Sequence, residues 1–235
     1  ILHFRIDRKK KLPITTILFA LGLSRLEIIK HFYDSNDFNY NKEDKTWTTK
    51  FDPESYKRPI KLRFDLIDAK TKKKFLNKGD KLNYVIANKL KEKNLSNISI
   101  SNLEIIGKYS ATEVKGKNGE VILKSGFDIT EEILEKIQFE EIEKLKLVNI
   151  DPVNKGPYLL ETLKVDKNNS KNDALNDIYK VLRPGEAPTI EIAEDIFKNL
   201  YFKKDRYDLS EVGRVKLNSK LDLKSSIKET VLKNE

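Results

Sequence analysis

Cysteine and methionine are absent from the 235 residues. Without thiols there can be no disulfide, no thiolate metal site and no cysteine nucleophile, and a reducing, cytoplasmic compartment is the expectation. The two histidines, His3 and His31, are too few to hold a zinc ion by themselves, and structural roles are expected of both. With no Met even at position 1, the chain reads as a piece of a longer protein. No apolar run approaches the roughly 18 residues of a membrane-spanning helix, and Ile1 to Arg8 lacks the layout of a signal peptide, so no membrane partner is expected. Hydrophobic residues make up 38% of the chain, below the roughly 45–50% usual for globular domains.

Charge is what the chain has in excess. Charged residues reach 35%, against about 25% in ordinary domains. Lys and Arg number 46 and Asp and Glu 37, which leaves a net charge of +9 and favours polyanions as partners. A Lys- and Asn-rich genome is the competing source of the same bias. The acidic residues sit beside lysines, as in Glu131, Glu132, Glu140 and Glu141 near Lys136 and Lys144, which is the pattern of helix-surface ion pairing. No phosphate-binding, dinucleotide-binding, zinc-protease or nucleophile-elbow motif occurs, and no nucleophile and base share a recognisable motif. An independent active site is not expected, and neither is a metal or cofactor.

The hydrophobic pattern predicts an α+β chain. Leu12-Pro13 marks a helix start, with Ile14, Ile17, Leu18 and Leu21 on its apolar face. After Gly22, Ser24 and Glu27 have the spacing of a capping box for a second helix reaching His31. The cluster Asp34-Ser35-Asn36-Asp37 is expected to be a loop. Beyond it the period changes: Leu62, Phe64 and Leu66 alternate with polar residues as in a strand, and Asn118-Gly119 predicts a tight hairpin with both central residues at positive φ. Leu76, Gly79, Leu82, Ile86, Leu90, Leu95, Ile98 and Ile100 recur, 47 residues on, as Leu123, Gly126, Ile129, Ile133, Ile137, Ile142, Leu145 and Leu147. Either chance or two copies of a strand, glycine turn, helix and strand explains this; the second gives pseudo-symmetry. From Asp151 the texture is helical again. A helix over 173–182 is halted by Arg183-Pro184-Gly185, and Thr189 caps another that buries Ile190, Ala193, Ile196, Phe197 and Leu200. The economical layout is a helical lobe made by both ends, 1–37 and 146–235, with a β-rich subdomain, 38–145, inserted into it.

The candidate binding residues are cationic. Arg8, Lys9, Lys10 and Lys11 form a basic run just before a helix, where adjacent cations can sit on phosphates. Lys72, Lys73 and Lys74 read as a solvated turn. Two ordered turns, Arg183-Pro184-Gly185-Glu186 and Asp205-Arg206-Tyr207-Asp208, with Gly213-Arg214 beyond them, present three arginines whose planar guanidinium forks suit phosphate. Pairing with Asp205 or Asp208 is the other reading of Arg206 and Arg214. Trp47 is expected to cover a core edge, base stacking being its alternative.

The run RPGEAPT, followed by AEDIFKNLYFKKDRYDLSEVGRVKLN, closely resembles the bacterial RNA polymerase β subunit. FRIDRKKKLPITTILFALGLS and GPYLLETLKVD resemble two further blocks of that family, in its order; the middle, about 38 to 145, resembles it loosely, as a variable insert would. The resemblance implies a non-catalytic lobe domain beside the downstream duplex and the non-template strand. Arg183 and Arg206 are then the first expected DNA contacts, followed by Arg8, Lys9, Lys10, Lys11 and Arg214. It also implies the rest of β and β′ as partners, with σ factor or regulators docking on the lobe as the alternative role, and it places the family's magnesium-binding aspartates in β′.

Overall fold

A computed structural model describes residues 1–7, 9–150, 156–187 and 189–233. The chain opens with β1 (His3–Asp7), β2 (Lys10–Pro13), α1 (Ile14–Ala20) and α2 (Arg25–Phe32). There follow β3 (Ser35–Asn41), β4 (Thr46–Lys50), β5 (Ile60–Lys61), β6 (Leu66–Asp68), β7 (Lys74–Leu76), β8 (Lys81–Leu82), α3 (Tyr84–Glu92), β9 (Asn97–Ile100) and α4 (Asn102–Ile105). The remainder is β10 (Val114–Lys115), β11 (Val121–Leu123), α5 (Glu131–Phe139), β12 (Lys144–Val148), α6 (Tyr158–Val165), α7 (Lys171–Leu182), α8 (Ile190–Tyr201) and α9 (Ser210–Leu221). The fold is α+β and divides into two units, Ile1–Arg25 with Glu161–Glu235 and Leu26–Leu160.

The first unit is mainly helical. Ser170 caps α7 by accepting from the Asp173 N–H at 3.2 Å, and Thr189 caps α8 by accepting from that of Ile192 at 3.4 Å. α7 buries Ala174, Leu175, Ile178 and Tyr179, whereas α8 buries Ala193 and Phe197 and leaves Ile190 at its first turn 48% exposed. Helix α1 departs further from its periodicity. Its buried residues are Thr15, Thr16, Phe19 and Ala20, while Leu21 is exposed. The hydroxyls explain this: Thr15 donates to the buried Asp166 carboxylate, Thr16 does so at 3.1 Å, and a satisfied polar face can be buried.

The second unit is built on a six-stranded sheet in the order β12-β3-β4-β9-β6-β7. Residues 35–37, expected as loop, are strand because they pair with β12, Ser35 opposite Val148 and Asp37 opposite Lys146. That partner lies more than 100 residues away, beyond the reach of local turn chemistry. The strand expected across Leu62, Phe64 and Leu66 is broken: β5 pairs β8, β6 pairs β9 and β7, and the residues between them bend. The hairpin turn also differs from expectation. Gly116 N–H donates to Glu120 O at 2.8 Å and Gly119 N–H to Gly116 O at 3.0 Å, and of Asn118 and Gly119 only the glycine takes positive φ, 79°. This longer loop places left-handed backbone where no Cβ resists it.

The 47-residue repeat is present in three dimensions. Helices α3 and α5 start and stop at that offset, capped by Asn83 and Thr130 and followed by Asn94 and Glu141, both at positive φ. Strands β7 and β11 precede them and β9 and β12 follow at the same spacing. The hairpin β3–β4 lies between the copies, β9 against β4 and β12 against β3. Both copies drive the same side chains inward: Leu82 and Ile129, Leu90 and Ile137, Ile98 and Leu145, Ile100 and Leu147 are all buried in one core. Gly126, at φ 81°, is held there by packing too, since a Cβ would come within 3.2 Å of Ile29 Cδ1.

Candidate nucleic-acid interface

Every sequence-predicted cation belongs to the mainly helical unit. Of the basic run, Lys9 lies at the turn and Lys10 and Lys11 on the second strand of the β1–β2 hairpin, where Lys10 pairs with Asp7 and Lys11 with Arg5. Arg8 lies outside the described residues. Lys9 and Lys11 are exposed. Lys10 is half-buried and its ammonium donates to Val181 O at 2.5 Å. That carbonyl belongs to the last turn of α7, where acceptors lack helical partners and the macrodipole favours a cation. Lys10 is thereby tied to the strand–helix junction, and it brings the basic run next to the end of α7 that carries Arg183.

Arg183 terminates α7. Its backbone N–H donates to Tyr179 O at 2.7 Å, while its side chain is 58% exposed. The nearest carboxylate, Glu186 Oε2, is 3.8 Å away and already accepts from the Tyr179 hydroxyl at 2.7 Å, a bond that pushes the Tyr179 pKa up. An exposed pair of that length contributes little, so the guanidinium keeps most of its donors for an incoming anion. Arg206 is similar. Its side chain is 69% exposed with Nε 3.8 Å from Asp205, and its backbone N–H is fixed to Lys203 O at 3.1 Å. Lys203 in turn bonds Asp195 at 2.5 Å, holding that carboxyl below the usual range.

Arg214 does not belong with them. It is 4% exposed, its Nε donates to Glu229 O at 2.6 Å and its Nη2 to Val231 O. The expectation that Arg214 meets DNA is corrected on this ground: the guanidinium is closed inside the unit, fastening the C-terminal segment onto α9, with backbone carbonyls as its hydrogen-bond acceptors. Arg214→Ala is expected to cost about 2–3 kcal/mol, because two carbonyls lose a charged donor. Urea denaturation checks the value, and the salt dependence of any DNA binding should stay as in wild type.

Trp47, in the other unit, is fully buried, and its Nε1–H donates to Asn102 Oδ1 at 3.0 Å; it is core, not a stacking platform. The Lys72 ammonium is engaged by Asp44, and Lys74 pairs with Asp65 at 2.6 Å. Sequence reasoning missed the residue that joins the two terminal motifs: Asp166, which receives Thr15 and Thr16 from one and sits at the end of the other.

The guanidiniums of Arg183 and Arg206 and the ammoniums of Lys9 and Lys11 are each exposed, and groups of this kind position phosphates without reading bases. The class to which this belongs follows from the family model described as RNA polymerase Rpb2, domain 2, which matches residues 120–235. Over 233 residues, 99% of its length, the chain is 43% identical to the DNA-directed RNA polymerase subunit beta of Rickettsia massiliae, and 42% identical to those of Rickettsia felis and Rickettsia conorii. It spans 17% of the length of these relatives. The chain belongs to the RNA polymerase β-subunit family, as a segment containing its domain 2. Among the described residues no helix is long and apolar enough to cross a membrane.

Proposed function

We propose that this segment is the non-catalytic lobe of a bacterial RNA polymerase β subunit, lining the downstream DNA channel and touching the duplex and the non-template strand during transcription. In this reading it works in the cytoplasm, the rest of β and β′ are its permanent neighbours, σ factor is a further partner, and residues 38–145 are a subdomain inserted into the lobe. The observation that carries the DNA contact is the exposure of Arg183 and Arg206, at 58% and 69%, on rigid turns with acids no closer than 3.8 Å. The planar guanidinium fork loses less freedom per hydrogen bond on meeting a phosphate than a lysine ammonium does, and the net charge of +9 favours approach to a polyanion.

The test is a salt titration of fluorescent bubble DNA against this chain and its Arg183→Ala, Arg206→Ala double variant. Losing two phosphate contacts should reduce the slope of log K against log salt by about 2 and weaken binding at low salt. An unchanged slope would remove both arginines from the DNA surface.

A further inference from the structure

The pseudo-symmetry of the sheet exposes a difference between its two halves. In the first copy Trp47 of β4 lies opposite Ile100 of β9, and its indole N–H donates to Asn102 at 3.0 Å. The register maps these three residues onto the second copy as Asn36 of β3, opposite Leu147 of β12, and Asn149. The isoleucine becomes leucine and the asparagine is retained, but the tryptophan becomes asparagine. Where the first copy holds a fully buried indole, the second has a cavity of about 260 Å³ lined by Asn36, Phe38, Lys108, Tyr109, Leu147 and Asn149. Gly107, on the same wall, adds to the space, since a Cβ there would meet nothing within 4 Å.

The cavity keeps the features that suit an indole, an apolar wall and an asparagine carboxamide, and has the Lys108 side chain in its lining. Lys108 Nζ lies 5.9 Å from the centroid of the Phe38 ring and, among the described residues, forms no ion pair or hydrogen bond. Burial pushes its ammonium below the ordinary value, with Glu104 acting weakly the other way. Such a charge gains from an anion that enters beside it. A carboxamide both donates and accepts, which matches the polar edge of a heteroaromatic ring. The volume is below the ~300–1,000 Å³ of sites that enclose drug-sized ligands, so it suits one ring system with its charged part at the mouth.

We propose that this cavity binds a nucleotide: the base enters beside Phe38 and Leu147 with its edge on Asn149, and the phosphate meets Lys108. The alternative of a partner's tryptophan accounts for the ring but gives Lys108 no anion. The proposal concerns the unit that contains none of the candidate DNA-facing arginines, so it stands or falls apart from the lobe reading. One ligand chemistry has two sources, a free nucleotide or a base exposed in a single strand.

Photolabelling of the full-length subunit carrying this chain separates them. One arm uses 8-azido-AMP and the other a single-stranded oligonucleotide with one 8-azidoadenine, each followed by peptide mapping. The expected result is labelled peptides containing Asn36, Lys108 or Asn149 in one arm at least, the arm identifying the source. Asn36→Trp should abolish that labelling by filling the cavity as Trp47 fills its counterpart, with the melting temperature checked alongside. Lys108→Met should weaken labelling by 8-azido-AMP about tenfold while leaving 8-azidoadenosine unaffected. Absence of these peptides from both arms, or labelling that Asn36→Trp and Lys108→Met leave unchanged, overturns the proposal.

Discussion

Asp166→Ala is expected to destabilise the mainly helical unit by about 3–5 kcal/mol, the range for removing one partner of a buried charged network. The carboxylate is 7% exposed and receives the Thr15 hydroxyl, the Thr16 hydroxyl at 3.1 Å, and the Asn168 N–H and Nδ2–H at 3.0 Å each. Its charge also favours the cationic form of Arg25, whose pKa burial lowers. Alanine leaves those donors facing an apolar space and returns no hydration to them. Asp166→Asn keeps one acceptor oxygen but turns an amide toward donors, so an intermediate loss of about 2 kcal/mol is expected. Urea unfolding followed by far-UV circular dichroism measures both. If Asp166→Ala costs less than Asp166→Asn, the network is not what holds α1.

Trp47→Ala should cost the sheet unit a comparable amount, about 3–5 kcal/mol, as large-to-small substitutions of buried aromatics do. The indole is fully buried, lies 4.9 Å from the Tyr40 ring and satisfies Asn102. Its removal loses the transfer energy, opens a cavity and leaves the Asn102 oxygen short of a donor. Trp47→Phe keeps most of the ring and loses the hydrogen bond, so a cost of about 1–2 kcal/mol is expected, most of it from that oxygen. Trp47 is the sole tryptophan, so the variants are compared by circular dichroism, while the wild-type emission should be blue-shifted until the unit unfolds. An equal cost for both variants would place the stabilisation in the hydrogen bond and not in the packing.

Much of this was legible locally. The cap at Thr189 and the helix stop at Arg183 obey short-range rules, because a side-chain oxygen reaches N–H groups only two or three residues away, whereas α7 starts at Lys171, capped by Ser170, two residues before the expected start. The 47-residue repeat was legible because two copies must bury equivalent apolar residues to share one core. Of the candidate site, Arg183 and Arg206 stand exposed where turn chemistry put them, whereas Arg214 is enclosed and Lys10 is turned inward. Nothing local distinguishes these arginines: Arg214 is buried only because carbonyls from residues 229 and 231 return to it.

By itself the sequence determined the α+β class, the Thr189 cap and, through the RPGEAPT and DRYD motifs, the family, while it left the 47-residue repeat open between chance and duplication. These rest on periodicity, on neighbours a few residues apart, or on identity of residues, none of which needs a tertiary partner. Tertiary structure decided that 35–37 is strand, that α1 buries threonines, that the expected strand at 62–66 breaks, and that Asn36 adjoins a cavity where Trp47 fills a core. Each depends on a group brought from far along the chain, Asp166 for the threonines and β12 for the strand. Burial and hydrogen-bond satisfaction are properties of that assembled neighbourhood, so no local pattern could carry them.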